Sequence, residues 1–189
     1  MKINTAKGTL VAAVAALGLT LSITSCNKDL LTVNVPMKFS DIIFTIPETP
    51  DSTEYSDTKS CPANLDSILN ANNIERKNIK FIHMESLVLE VLNTDSTPVD
   101  SANNFRVLSR INGAISSNGG AFKSVGEVTN NPDVAAFTLN VPVNTTDDFK
   151  ENLENGTFTF KISGKTRAAV TKEIKVRATL KFNMEGGVK

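Results

Sequence analysis

Between Ile174 and Met184 the chain keeps a strict period of two. Ile174, Val176, Ala178, Leu180, Phe182 and Met184 are apolar, and Lys175, Arg177, Thr179, Lys181 and Asn183 stand between them. Successive side chains of an extended chain point to opposite sides, so this segment has one dry and one wet face. A helix would scatter the same residues around its circumference. The segment is therefore a strand, and a strand with one apolar face must bury it against a second layer.

The same alternation recurs along the chain. Phe158, Phe160 and Ile162 form a strand just upstream, and Gly164-Lys165-Thr166-Arg167 starts the connection, which predicts a C-terminal hairpin. Leu31, Val33, Val35, Met37 and Phe39 share one parity, and Ile42, Phe44 and Ile46 the other. That switch predicts a bulge near Ser40-Asp41. Ile79 to Leu92 is apolar on both faces near its end, which suits a central strand. Further strands are predicted around Phe105–Ile115, Phe122–Val128 and Phe137–Val143, separated by turn signals at 116–120 and 130–133.

Two polar stretches, 47–60 and 93–104, carry no periodicity and read as loops. Pro62 is expected at the first position of a short helix with Leu65, Ile68 and Leu69 on one face. A second short helix is expected over Thr146–Leu153, with acids in its first turn and Gly156 past its end. Seven or eight strands and two short helices make an all-β chain, an antiparallel β-sandwich.

The N-terminal segment differs from the rest. Lys2 and Lys7 precede an uncharged run from Leu10 to Leu21, the layout of a secretory signal. The run is too short to span a bilayer as a helix, which needs roughly 20 apolar residues. It ends in Ile23-Thr24-Ser25-Cys26, which resembles the bacterial lipobox, with Leu21 or Ile23 as its aliphatic residue. The resemblance implies cleavage before Cys26 and acylation, palmitate included, of its thiol and of the new amino terminus. Residues 1–25 are then a removed signal peptide, 26–30 a lipidated tether and 31–189 a single domain. Asn27 follows Cys26, so the inner-membrane retention pattern of enteric bacteria is absent. Cys-Asn-Lys-Asp is similar to the short lysine-plus-acid signals that send some Bacteroidota lipoproteins to the cell surface, though with only one acid. The expected place is the outer membrane, with its periplasmic and surface faces both open.

Loss of Lys2 and Lys7 leaves the mature chain slightly acidic, which does not suit a nucleic-acid partner. Ten Phe, one Tyr and no Trp count against stacking of sugars. With Cys26 given to lipid, Cys61 has no disulfide partner. It is either a reactive thiol at a helix start or a buried small apolar residue.

Few residues suit catalysis. His83 is the one histidine and lies within a strand, which argues against a nucleophile–histidine arrangement. One His and one mature Cys cannot assemble the usual zinc ligand sets. Glu85 and Glu90 have opposite parity and are expected on opposite faces. Glu48, Asp51, Glu54 and Asp57 recur every three residues, either as loose calcium ligands or as a solvated loop. Neither an enzyme nor a cofactor is expected. Lys161, Lys175, Arg177 and Lys181 are expected to share the outer face of the C-terminal hairpin, where they either meet an anionic partner or keep an edge soluble.

Four triplets, Asp51-Ser52-Thr53, Asp66-Ser67-Ile68, Asp95-Ser96-Thr97 and Asp100-Ser101-Ala102, resemble the acceptor motif of the general O-glycosylation system of Bacteroidota. The resemblance implies Ser52, Ser67, Ser96 and Ser101 as acceptors, Ser67 least readily because it sits in a helix. Loops rich in Asp and Ser also produce such triplets by composition. With the N-terminal segment, the triplets make the chain similar to the small β-sandwich lipoproteins of the Bacteroidota envelope. The expected function is a lipid-anchored, non-catalytic module that binds or assembles an outer-membrane partner. The alternative is a carrier that holds a lipid or other apolar molecule between its sheets.

Overall fold

A computed structural model describes residues 31–92 and 103–188. The elements, in chain order, are β1 (Leu31–Ile46), β2 (Glu54–Pro62), α1 (Leu65–Ala71), β3 (Ile74–Val91), β4 (Leu108–Ser117), β5 (Lys123–Val128), β6 (Thr138–Val141), α2 (Lys150–Leu153), β7 (Thr157–Thr166) and β8 (Ile174–Val188). A single 3-10 turn, Phe105–Val107, leads into β4. The strands make two four-stranded antiparallel sheets, ordered β1-β8-β3-β6 and β2-β7-β4-β5. The chain is an all-β sandwich.

β8 dominates the first sheet. It pairs with β1 on one side and β3 on the other, and all six of its alternating apolar residues from Ile174 to Met184 are buried. Opposite it, Phe158, Phe160 and Ile162 of β7 are buried from the second sheet. Phenylalanine rings join the two layers edge to face. Phe44 of β1 meets Phe160 at 5.3 Å between centroids and Phe39 meets Phe158 at 5.0 Å, while within the first sheet Phe39 also meets Phe182 at 5.8 Å. Phe149, just before α2, closes one end against Phe182 at 5.7 Å. Such pairs add about 0.5–1.5 kcal/mol each beyond the area they bury.

The bulge in β1 is present. The register with β8 shifts between Phe39 and Ile42, and Asp41 takes a left-handed backbone (φ 62°). Five expectations are corrected. β7 and β8 do not pair as a hairpin. They lie in different sheets and turn their apolar faces toward each other across the core, which the same alternation permits. Half of the stretch expected as a loop is β2, an edge strand that buries only Tyr55 and Cys61 and so leaves no apolar period. Pro62 ends β2, and α1 begins beyond Asn64, whose φ is 51°. Glu85 and Glu90 are both exposed on the outer face, because a register shift between Met84 and Ser86 reverses the parity. The second helix is only α2, with the Asp148 carboxylate accepting from the Lys150 N–H at 3.0 Å.

Gly164 is required by close approach: a Cβ there would lie 2.3 Å from the Arg110 carbonyl oxygen. Phe160, fully buried and in edge contact with Phe44, is one of the rings that join the two layers. Phe160→Ala should lower unfolding free energy by about 3–5 kcal/mol, read from urea denaturation at constant m.

Candidate functional site

Antiparallel alternation sorts the connections. β1 ends, β2 begins, β3 ends, β4 begins, β5 ends, β6 begins, β7 ends and β8 begins at one end of the sandwich. The connections 47–53, 129–137 and 167–173, and residues 103–107 leading into β4, therefore meet there. Leu31, Val188 and Ile74 lie together at the opposite end, where the chain enters the domain.

Backbone groups bind the loop end into one surface. Thr49 and Val170 exchange hydrogen bonds of 3.1 and 2.8 Å, and the Thr166 hydroxyl donates to the Pro50 carbonyl at 3.0 Å. The Phe105 N–H donates to Ala136 (2.8 Å), the Val91 N–H to Phe137 (2.9 Å) and the Arg167 N–H to Val107 (2.7 Å). Buried Asn131 completes the set, its side-chain amide donating to the carbonyls of Phe105 (2.7 Å) and Leu108 (2.9 Å).

Apolar side chains stand exposed on this frame: Val134 is 67% exposed and Phe137 43%. Beside them Asp133 binds the Arg106 guanidinium at 2.6 Å and lies 3.5 Å from that of Arg167. The hydrogen bond from Arg106 and the positive charge of both arginines hold the Asp133 carboxyl below the usual carboxylate range. Among the described residues the group is an apolar tip with a charged flank.

The residues singled out from the sequence are scattered. Cys26, Ser96 and Ser101 lie outside the described residues. Ser52 is exposed at the tip of the β1–β2 turn with φ 54°, and Ser67 is exposed on α1. The basic residues do not share a face. Lys175, Arg177 and Lys181 lie on the outer side of the first sheet, and Lys161 belongs to β7 in the second, its ammonium 4.2 Å from the Phe122 ring centroid. Arg177 lies 3.4 Å from Asp41 and 3.5 Å from Glu90, and Lys175 2.8 Å from Glu173, so these two cations are balanced locally.

Cys61 is buried at the end of β2, where burial pushes its thiol up and away from the reactive thiolate. His83 lies beside Phe81, their centroids 5.6 Å apart. Among the described residues no three His, Cys, Asp or Glu side chains converge as metal ligands. The four acids of 48–57 are drawn apart: Glu54 binds Arg110 at 3.1 Å, and Asp57 accepts the Thr45 N–H at 2.9 Å. The exposed pair Val134 and Phe137 is not legible in the strand pattern predicted over Phe137–Val143, because β6 begins only at Thr138. The Asn-Pro-Asp turn signal just before it was the usable clue.

No protein-family model and no curated protein matches the chain. Among solved structures it is similar to one of Desmodium yellow mottle tymovirus, at 8% identity over 90% of this chain and 95% of that chain, TM-score 0.29. One of turnip yellow mosaic virus matches at 11% identity over 84% and 96%, TM-score 0.29. One of infectious bursal disease virus Gx strain matches at 10% identity over 93% and 42%, TM-score 0.33. Likenesses this low carry no argument about this chain.

Two predictions follow from the hydrogen bonds. Asn131→Leu strands two buried carbonyls and should cost about 1–3 kcal/mol in urea unfolding. Burial draws the Asp57 carboxyl up, but hydrogen bonds from the Thr45 and Thr58 N–H groups and from Lys59 outweigh it and hold it below its ordinary value. A lowered folded value means stability that is complete above the unfolded value, about 3.9, and lost as pH falls through the folded one. Asp57→Ala should therefore flatten the acid limb of urea midpoint against pH below about pH 4.

Proposed function

We propose that this chain is a lipid-anchored, non-catalytic envelope protein that docks an outer-membrane partner through its loop end. The observation that carries the reading is the polarity of the sandwich. Leu31 begins β1 at one end, and Val134 and Phe137 are exposed at the other. Five residue steps separate Cys26 from Leu31, at most about 17 Å of chain. Acyl chains on Cys26, worth about 0.8 kcal/mol per buried methylene, would hold the Leu31 end at the bilayer. The loop end then points away from the membrane, toward whatever the protein meets. No helix among the described residues is long and apolar enough to cross a membrane.

An exposed apolar pair on a rigid, cross-bonded loop frame suits a protein contact, because aromatic and aliphatic anchors supply most of the energy of such interfaces. The ring packing between the sheets favours docking over the carrier alternative. Ile82, Met84, Ile115, Phe160, Leu180 and Phe182 leave each other at most traces of exposed surface.

The test has two arms. Cys26→Ser should abolish palmitate labelling and move the chain to the soluble fraction. A photo-crosslinker at Ala135 should give one adduct of defined size in cells, and Val134→Asp with Phe137→Asp should cut its yield at least tenfold without changing Tm. An adduct that survives the double substitution, or none in the parent, would remove the loop end from the account.

A further inference from the structure

We propose that the cleft between the open edges of β1 and β2 receives an extended acidic segment of a partner protein, laid beside β1 as an added strand. The inference rests on a different surface from the loop end and does not need the lipid anchor.

The two sides of the sandwich are built differently. At β5 and β6 the edges are joined: Gly126 bridges Val143, and the Glu127 N–H donates to the Pro142 carbonyl at 3.1 Å. At β1 and β2 they diverge. β1 pairs only with β8, and β2 only with β7. The bond from the Thr45 N–H to Asp57 ties the edges at one limit, and Asn64, ahead of α1, marks the other. Between these limits lies an open cleft of about 530 Å³. Phe39, Ile42, Cys61 and Pro62 give it apolar walls, with Lys38 and Lys59 beside them. Its β1 wall runs from Lys38 to Ile43 across the bulge at Ser40-Asp41, so it offers a guest strand only a short stretch on either side of the bulge.

Charge selects the guest. Lys38 lies directly opposite Lys181 in the β1–β8 register, and among the described residues neither is ion-paired. The nearby charges are engaged: Asp41 with Arg177 at 3.4 Å, and Lys59 with Asp57 at 3.0 Å. Like charges opposite each other across strands are destabilising, so a guest carboxylate there would remove a repulsion as well as add an attraction. A second copy of this chain would instead bring another Lys38 to the same edge. Pro36 also lacks the N–H that a long ladder needs, which limits addition to a short stretch. The guest should alternate, with acidic side chains toward Lys38 and apolar ones toward Phe39 and Ile42.

The full chain in detergent should be titrated at low salt with three peptides of equal length: alternating valine and glutamate, valine and lysine, and valine and threonine. The acidic peptide should shift amide resonances of residues 38–43 and bind at least tenfold tighter than the basic one. Lys38→Glu should reverse that order, and Val134→Asp should leave it unchanged, which separates this surface from the loop end. Equal affinity for the acidic and basic peptides overturns the proposal. So does an absence of shifts in β1 at millimolar acidic peptide, or shifts confined to the loop end.

Discussion

The contact of phenylalanine edges across the space between two sheets is what the rest of the molecule depends on. Phe44 on Phe160 and Phe39 on Phe158 fix the separation and stagger of the layers. β1 and β7 carry these contacts, while β7 and β8 are inner strands of different sheets and do not pair. Each then has strand partners on both flanks and an aromatic layer over its dry side. Once they are placed, β1 and β3 must flank β8, and β2 and β4 must flank β7.

That arrangement also decides what each surface can do. Alternating strand direction gathers the connections 47–53, 129–137 and 167–173 at one end with residues 103–107, where Asn131 and the Thr49–Val170 pair make them one frame. The chain enters at the other end. One side is stitched shut through Gly126 and Val143, and the other opens beside the β1 bulge. On the outer face of the first sheet Arg177 and Lys175 are balanced by Asp41, Glu90 and Glu173, so these two of the residues that looked like an anionic-partner face are neutralised locally. Lys38 and Lys181 are the exception, and they lie by the open edge.

Much of this was legible in the sequence for a simple reason: a half-buried strand writes its burial into every second residue. β8 and β1, with its bulge, were readable on that ground. β2 was not, because an edge strand with two wet flanks needs only Tyr55 and Cys61 inside. Alternation reports that a strand has a dry face but not what covers it, so β7 and β8 looked like a hairpin. The bulge at Glu85 left no apolar mark, and so Glu85 and Glu90 were set on opposite faces. Exposure of Val134 and Phe137 is a property of the assembled loops and is not written in either residue.

The account of how the protein works turns on its orientation at a bilayer. β8, fifteen residues long, separates the two ends by about 40–50 Å. Spin labels at Asn72, near the entry end, and at Ala135, on the loop end, can be compared in vesicles carrying a headgroup-bound paramagnetic quencher. The account predicts strong relaxation at Asn72 and none at Ala135. Equal relaxation at both, or the reverse order, would contradict it.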